Sequence, residues 1–343
     1  STSTVPSPAA ASIDSSPRPR PTKNVQACNG HVEFCDRRFS NISMVVAHNS
    51  PFVVPHNIAS NQDVHVLTQL NDGIRGLQFE TRLPDQAPTS SALRLCHTSC
   101  SVLDAGTLEK YLKKVAGWLS THPYEVIAIM MGNGNHVEPT MYIEPFRRAG
   151  LLPLLYIPPY RTMTLEQWPK LSEMILQSKR VVVTLDYGAN QTAVPWLLNE
   201  FSYQWQTPFS PTDPTFPCTV DRPKNQIATV SKDMMYMANH NLNVKVPIKA
   251  SFLALAKEEP YLIPGHTLFH QVNASKGNRS LGWSVETCTA RWGRPPNWLL
   301  VDYYNRGDFN GSVFQVAAIA NNVTYNRTSC CGVEKENSTG QRM

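Results

Sequence analysis

Two histidines stand at the ends of predicted strands, where side chains are well placed for proton transfer. His48 follows the apolar run 42–47, and His97 ends the short extended segment 93–97. Because the ordinary pKa of histidine lies near neutral pH, one such residue can remove a proton while another supplies one. Asp302 lies in the last apolar run and can orient the ring of His48, as a triad carboxylate does. We therefore predict these three residues as catalytic; the alternative is that both histidines are ordinary loop residues.

Polar side chains also end the other predicted strands, and several are candidates for contact with a ligand. Along the second strand, positions 78, 80 and 82 alternate and so lie on one face. A strand-ending salt bridge is the alternative role for Asp186, and packing in a loop is the alternative for His240. The candidates for substrate contact are Arg82, Asp186, Tyr187, His240 and Tyr303.

These side chains need a scaffold that brings strand ends together, and the apolar pattern predicts one. Strands and helices alternate seven or eight times, which is typical of a parallel α/β fold. Since there is no glycine-rich dinucleotide turn, a closed barrel is favoured over a doubly wound sheet, and its active site would lie at the carboxyl ends of the strands. Closure would place the last strand beside the first, and so Asp302 beside His48. The predicted strands are 42–47, 73–81, 93–97, 125–131, 154–157, 181–186, 234–239 and 298–303, and the predicted helices are 107–120, 140–149, 165–178, 195–201, 247–258, 281–292 and 313–321.

Composition limits the class of protein. The chain has 343 residues, of which 41 % are hydrophobic, so it can bury a sizeable core. We expect one barrel domain over 25–331, a flexible Ser/Thr/Pro-rich linker over 1–24 and a polar tail over 332–343. The net charge of +5 permits an anionic substrate or a membrane surface, but no Lys/Arg cluster indicates nucleic-acid binding. The longest apolar stretch, 126–131, is far shorter than the roughly 20 residues of a membrane-spanning helix.

Eight cysteines favour disulfides over a zinc site, because their spacings do not match zinc-ligand patterns. We predict the pairs Cys28–Cys35 and Cys96–Cys100 and leave the other four cysteines unassigned. Disulfides indicate the secretory pathway, and the abundance of Asn-x-Ser/Thr sequons points the same way. The protein is therefore expected to be a secreted or cell-surface glycoprotein. The sequons begin at Asn41, Asn190, Asn273, Asn278, Asn310, Asn322, Asn326 and Asn337.

Six segments stand in a characteristic order along the chain: Val46–Ser50, Gln69–Gln78, Leu93–Cys100, Tyr124–Ile127, Phe216–Pro223 and Trp298–Tyr304. The first four resemble the X-box half of phosphatidylinositol-specific phospholipase C. The resemblance is greatest to the secreted, single-domain PLC-like phosphodiesterases of fungi, which the last two segments also resemble, and it covers about residues 25 to 325. It implies a distorted (β/α)8 TIM barrel.

The resemblance also implies a reaction. His48 would take the proton from a substrate hydroxyl beside a phosphodiester, and that oxygen would attack phosphorus in line. His97 would protonate the leaving alcohol, giving a cyclic phosphodiester that can later be hydrolysed. The implied substrate is a phospholipid or a glycosyl-inositol phosphate, and the implied protein is a monomer that touches the membrane peripherally.

The source of positive charge is where this sequence departs from its relatives. Metal-independent bacterial members pair the first histidine with Asp and carry Arg on strand two, where this chain has Asn49 and Glu80. Calcium-dependent members carry Asn, two strand-two acids and a later Glu, where this chain has Asn49, Gln78, Glu80 and Met131. Two possibilities stay open: Ca²⁺ held by Asn49, Glu80 and Gln78, or no metal and charge from Arg82.

The same departures define the alternative function. The barrel could be catalytically impaired, with weak activity or none, and act as a secreted protein that binds a lipid or a sugar phosphate. A glycosidase would need two carboxylates facing one bond, and the strand ends at 130–133 and 239–240 carry none. A metal-dependent glycerophosphodiesterase would need more acids at the mouth than Glu80, Asp186 and Asp302.

Overall fold

A computed structural model describes residues 25–84, 93–246, 261–308, 311–327 and 330–331. The strands are β1 (Met44–Ala47), β2 (Gly76–Arg82), β3 (Arg94–His97), β4 (Leu103–Thr107), β5 (Ile127–Asn133), β6 (Val181–Leu185), β7 (Leu197–Asn199), β8 (Gln204–Gln206), β9 (Met235–Asn239), β10 (Asn243–Val246), β11 (Tyr261–Pro264) and β12 (Trp298–Val301). The helices are α1 (Val66–Asp72), α2 (Leu108–Thr121), α3 (Ile143–Arg148), α4 (Leu171–Leu176), α5 (Ala228–Lys232), α6 (Phe269–Val272), α7 (Leu281–Trp292) and α8 (Val313–Ala320).

Eight strands form a parallel sheet in the order β7-β6-β5-β2-β1-β12-β9-β8. The first strand in the chain lies between β2 and the last strand, β12, as barrel closure requires. Within the described residues no ladder joins β7 to β8, so the barrel is open at that edge. The predicted distorted α/β barrel of the PLC-like phosphodiesterase type is confirmed.

Two hairpins depart from the barrel pattern. β3 pairs antiparallel with the end of β2 and with β4, which carries residue 97 to the mouth. β10 and β11 form a separate antiparallel pair after β9. Both hairpins extend from the carboxyl ends of barrel strands, so they border the same face of the molecule.

The barrel strands alternate between an inner and an outer apolar layer. Val46, Met130 and Leu300 pack inside the barrel, whereas Val45, Met131 and Val301 pack outward against the helices. Because successive strand residues point to opposite faces, the inward series continues past the strand ends into polar residues. Helix α2 shows the matching helical pattern, with residues 108, 111, 112, 115 and 119 all buried.

Several predicted elements were wrong in type or extent. Residues 197–199 form strand β7 and not a helix, because Leu197 and Leu198 are each buried, one in the outer and one in the inner layer. The predicted helix 165–178 is broken into a 3₁₀ turn and α4, since Trp168 before Pro169 is extended. The predicted strand 154–157 is reduced to one bridge, between Leu155 and Val181. Helix α1 and strand β8 were not predicted.

Four disulfides stabilise the described chain. The predicted pairs Cys28–Cys35 and Cys96–Cys100 are confirmed. Cys218 pairs with Cys288, which ties the loop before β9 to α7, and Cys330 pairs with Cys331. The predicted linker 1–24, helix 247–258 and tail 332–343 lie outside the described residues.

Candidate active site

The pairing of β1 with β12 brings His48 and Asp302 together. Ala47 and Val301 are register partners, so the next residue of each strand is a neighbour at the mouth. His48 Nδ1 lies 2.7 Å from Asp302 Oδ1, and the carboxylate is 1 % exposed while the imidazole is 13 % exposed. With Nδ1–H donating to the carboxylate, Nε2 is the ring atom that can accept a proton.

His97 reaches the same mouth from β3. Its Nδ1–H donates to the carbonyl oxygen of Ala59 at 2.6 Å, and its ring stacks on Phe52 with centroids 5.2 Å apart. Burial, and then the nearby His48, lower the pKa of His97, which favours the neutral form of this ring. Its Nε2 accepts a hydrogen bond from Asn49 Nδ2 at 3.2 Å.

A chain of two amides links the two histidines. Asn61 Nδ2 donates to Asp302 Oδ1 at 2.8 Å, and Asn61 Oδ1 accepts from Asn49 Nδ2 at 3.2 Å. Asn49 in turn donates to His97, so every step from one imidazole to the other is a hydrogen bond. The Oδ1 atom of Asn49 is buried and has no partner among the described residues.

Glu80 lies beside a glycine of the neighbouring strand that makes room for its side chain. The β2–β5 register sets Gly132 opposite Glu80, and a Cβ at Gly132 would lie 2.4 to 2.7 Å from atoms of the carboxyl group. Burial, and then Asp186, raise the pKa of Glu80 against the opposing effects of nearby cations. The sequence predicts Met131 at the position where calcium-dependent members carry their later Glu. In the structure Gly132 takes that position beside Glu80, because Met131 packs in the outer layer.

Arg82 is a cation near both Glu80 and His97. A Cβ at Gly134 would lie 3.0 to 3.2 Å from atoms of the guanidinium, so this second glycine accommodates the arginine. The positive charge lowers the pKa values of both Glu80 and His97. Arg82 Nε is buried without a hydrogen-bond partner in the described part of the chain.

The opposite side of the mouth is built around Asp186. Its Oδ1 accepts from the backbone N–H of Asn133 at 2.9 Å, and its Oδ2 lies 3.2 Å from Arg222 Nη2. Arg222 enters from the loop before β9, whose backbone is held by a 2.7 Å bond from Gln206 N–H to the Arg222 carbonyl. Behind it lies Glu200, which is 3 % exposed and whose pKa is raised by burial.

Two predicted substrate contacts are not brought to the cleft. His240 is fully buried: Nε2–H donates to the Val272 carbonyl at 2.9 Å, the ring lies 3.7 Å from that of Phe216, and burial lowers its pKa to about 3. Tyr303 is 5 % exposed, and its hydroxyl donates to the Ser60 carbonyl at 2.6 Å. Both are placed for packing, so we correct their predicted role.

Four of the other predicted residues lie together at the mouth. Gln78, Glu80, Asp186 and His48 line one cleft at the carboxyl ends of the strands. Tyr187 is half exposed at its rim, beside Arg222.

The residues predicted to hold a calcium ion offer few free oxygens. Calcium takes six to eight oxygen ligands, but Gln78 Oε1 already accepts from the Asn49 backbone N–H at 3.0 Å. Asp186 is engaged by Arg222. In the described residues, no three carboxylates or imidazoles converge closely enough at this mouth to hold a metal. Among the three predicted ligands, the oxygens left over are those of Glu80 and Oδ1 of Asn49.

Comparison with known proteins decides the family. A family model described as PI-PLC X 1 matches residues 34–316. The chain belongs to the PI-PLC X family. It is 38 % identical over 289 residues to "PI-PLC X domain-containing protein 1" of Arthroderma benhamiae, which covers 84 % of this chain and 88 % of that protein.

A second relative bears on location. An "Uncharacterized secreted protein" of Arthroderma benhamiae is 50 % identical over 323 residues, covering 94 % of this chain and 70 % of that protein. Together with the disulfides, this relative confirms the prediction of a secreted PI-PLC X protein. Within the described residues, no helix combines the length and the apolar character needed to cross a bilayer.

A solved structure confirms the fold. A phosphatidylinositol-specific phospholipase C from Staphylococcus aureus superposes with a TM-score of 0.52 at 15 % identity, covering 84 % of this chain and 94 % of that one. The likeness extends over the barrel.

Sequence reasoning missed four contributors to the mouth: Ala59, Asn61, Glu200 and Arg222. The first two lie in the loop after β1, and nothing in their local pattern marks them. Arg222 had a signal, because it lies in the segment Phe216–Pro223 that resembles the fungal relatives.

Proposed function

We propose that this protein cleaves a phosphodiester by general acid and base catalysis with two histidines. The observation that carries the proposal is the pair of imidazoles joined through Asn61 and Asn49, with His48 held at 2.7 Å by buried Asp302. His48 Nε2 removes the proton from a substrate hydroxyl, and that oxygen forms the new bond to phosphorus. The bond from phosphorus to the leaving alcohol breaks as His97 Nε2 protonates the alcohol. The products are a cyclic phosphodiester and a free alcohol.

His97 must carry a proton to act as the acid, and the substrate itself favours this state. An anionic phosphodiester beside the ring stabilises the imidazolium and offsets the burial that lowers the pKa of His97. Protonated Nε2 can no longer accept from Asn49. Rotation of that amide would present Oδ1, which is buried without a partner among the described residues, to the new proton. The orphaned oxygen thus supports a second protonation state of His97.

We further propose that the reaction needs no metal. Phosphoryl transfer depends on neutralising the equatorial oxygens of phosphorus. Arg82 lies close enough to both Glu80 and His97 to lower their pKa values, so its charge is near the reacting group. The poor calcium donor set supports Arg82 as the source of positive charge.

The headgroup we propose is a polyol, as in a phosphatidylinositol or a glycosyl-inositol phosphate. The cleft presents amides and carboxylates that exchange hydrogen bonds with hydroxyls; they are Gln78, Glu80, Asp186, Gln206, Asn239 and Asn241. Exposed apolar side chains follow the strand ends on the same face, including Val54, Ile58, Val102 and Phe209. These support transient contact with a membrane surface that supplies the lipid. We expect the protein to act as a monomer.

A binding protein on an impaired barrel is the second candidate. It is favoured by Asn49 and Glu80, which replace the Asp and Arg of metal-independent bacterial relatives. This alternative predicts ligand binding without turnover.

Histidine variants distinguish the two candidates. Turnover of phosphatidylinositol vesicles is measured for His48→Ala, His97→Ala and the matched control His65→Ala, which removes an exposed histidine that makes no capping bond. We expect each site variant to lose about 10²- to 10⁴-fold in kcat, while the control and all thermal unfolding profiles stay near wild type. Equal activity in all four proteins would contradict the proposal, and no activity in the wild type would favour the binding protein.

A further inference from the structure

Arg222 sits inside an aromatic cage. Its guanidinium carbon lies 4.5 Å from the ring centroid of Phe209, 4.8 Å from that of Phe201 and 5.3 Å from that of Tyr187. The Asp186 carboxylate closes the arrangement at 3.2 Å from Nη2. Three rings with one carboxylate around a cation is the arrangement by which proteins recognise quaternary ammonium groups.

The cage opens on the substrate cleft. Arg222, Phe209 and Asp186 all line it, together with His48. Tyr187 and Phe209 are each about half exposed, so the cage lies at the rim and not in the core. A headgroup whose phosphate lies near His48 would therefore have this cage within the same cleft.

Arg222 is fixed in place from three directions. Its carbonyl accepts from the Gln206 backbone N–H at 2.7 Å, and its Nη1 donates to Gln206 Oε1 at 3.4 Å. Four residues earlier, Cys218 is bonded to Cys288 of α7. The guanidinium is thus held on the rings by the fold before any ligand arrives.

We propose that Arg222 is a built-in cation that fills this cage and thereby excludes quaternary-ammonium headgroups, such as that of phosphatidylcholine. The site then selects headgroups that accept hydrogen bonds from the guanidinium, which hydroxylated headgroups do. Arg222 is a specificity-determining residue in this account. The proposal rests on the proposed function for its biological meaning, because the choice of headgroup matters only if a phospholipid enters this cleft.

The test measures binding of choline, a quaternary ammonium without phosphate, by titration followed with NMR. The variant Arg222→Ala empties the cage but leaves the three rings and Asp186. We expect it to bind choline at least about tenfold more tightly than the wild type does, because a cation on several rings gains this much or more. Removing a ring as well, in Arg222→Ala with Phe209→Ala, should abolish the gain.

The matched control is Arg291→Ala, which removes an exposed arginine that lies 6.0 Å from one ring, that of Trp292. It should leave choline binding unchanged. If Arg222→Ala does not fold, as judged by thermal unfolding, Arg222→Gln keeps a donor for Asp186 and takes its place.

Wild-type protein that binds choline as tightly as the folded variant would overturn the proposal, as would a folded variant without any gain. Because choline binding is read without turnover, these results are independent of whether the protein cleaves phosphodiesters. A protein that cleaves nothing but gains choline binding would lose the proposed function and keep the cage.

Discussion

The two sides of the barrel mouth are formed by different kinds of side chain. On the side of β1, β3 and β12, the Asp302 carboxylate holds His48, the Ala59 carbonyl holds His97, and the neutral amides of Asn49 and Asn61 connect them. On the side of β6 to β9, the groups are charged and aromatic, with Arg222 between two carboxylates and three rings.

This difference assigns different tasks to the two sides. Proton transfer requires ring atoms held at fixed positions with fixed tautomers, which a buried carboxylate and a backbone carbonyl that accept from Nδ1–H provide. Selection of a headgroup requires shape and charge, which rings and ion pairs provide. Changes on the first side should lower kcat, and changes on the second should alter KM and selectivity.

The largest expected effect is that of Asp302→Asn. An amide at this position stabilises the wrong tautomer of His48 and cannot stabilise the imidazolium, so kcat should fall by about 10³- to 10⁴-fold. Asp186→Asn is the counterpart on the other side, and there kcat should change by less than about tenfold while KM rises. Steady-state kinetics on phosphatidylinositol give both numbers. Similar losses of kcat in the two variants would end the division into two sides.

Asn61→Ala should have a smaller but specific effect. It removes the hydrogen bonds to Asp302 and to Asn49, so it loosens both histidines at once. We expect kcat to fall by about 10- to 100-fold, in line with the loss of a residue that positions catalytic groups. The pH dependence of kcat should also shift, whereas a purely structural loss would lower kcat by the same factor at every pH. If both kcat and its pH dependence were unchanged, the proposed positioning role of Asn61 and Asn49 would be contradicted.

The variant Gly132→Ala tests the boundary between the two sides, where Gly132 of β5 lies beside Glu80 of β2. The added Cβ meets the Glu80 carboxylate, so either that side chain or the strand must shift, at a cost of about 1 to 3 kcal/mol in the free energy of unfolding. Gly117→Ala is the matched control, since this exposed helical position has open space around it, and alanine should stabilise it by about 0.5 to 1 kcal/mol. Urea unfolding measures both. Equal stability changes of the same sign would contradict the crowding at Gly132.

The alternation of inward and outward side chains along each strand decides which residues of this site could be predicted from the sequence. His48, Asp302, Asp186 and the pair of positions 78 and 80 could be predicted, since polar residues that continue the inward series of a parallel strand meet at one mouth. The same rule excludes His240, because Asn239 takes the inward position and the next residue turns away beneath Phe216. Tyr303 fails for the same reason, one residue beyond Asp302.

Loop residues could not be predicted in this way. Asn61 and Ala59 reach the histidines through a loop whose course is set by long-range contacts, such as the bond from Tyr303 N–H to the Asn61 carbonyl. Strand β7 was misread because two adjacent leucines, buried on opposite faces, give no helical or alternating signal. The choice between calcium and arginine could not be made from the sequence, because it depends on which oxygens are already engaged in hydrogen bonds and ion pairs.

The smallest expected effect concerns the buried ring beneath the mouth. Burial lowers the pKa of His240 to about 3 in the folded protein. When the pH is below the ordinary pKa of histidine, His240 is therefore protonated in the unfolded chain but stays neutral in the folded protein. The free energy of unfolding should therefore fall as pH drops below about 6.5, by up to roughly 1.4 kcal/mol per pH unit from this residue. His240→Gln should flatten this slope, as measured by urea unfolding at pH 5 and pH 7.5. The lowered pKa of His97 acts in the same direction and should leave a residual slope; an unaltered slope would contradict the account.

The central claim is that two histidines and an arginine cleave a phosphodiester without a metal, and ³¹P NMR tests it most directly. Purified protein is incubated with phosphatidylinositol vesicles, in parallel with calcium and with chelator, and the phosphorus products are followed over time. We predict a cyclic phosphodiester in both samples at similar rates, and none with His48→Ala. A product that forms only with calcium, or the absence of any product from well-folded protein, would contradict the claim.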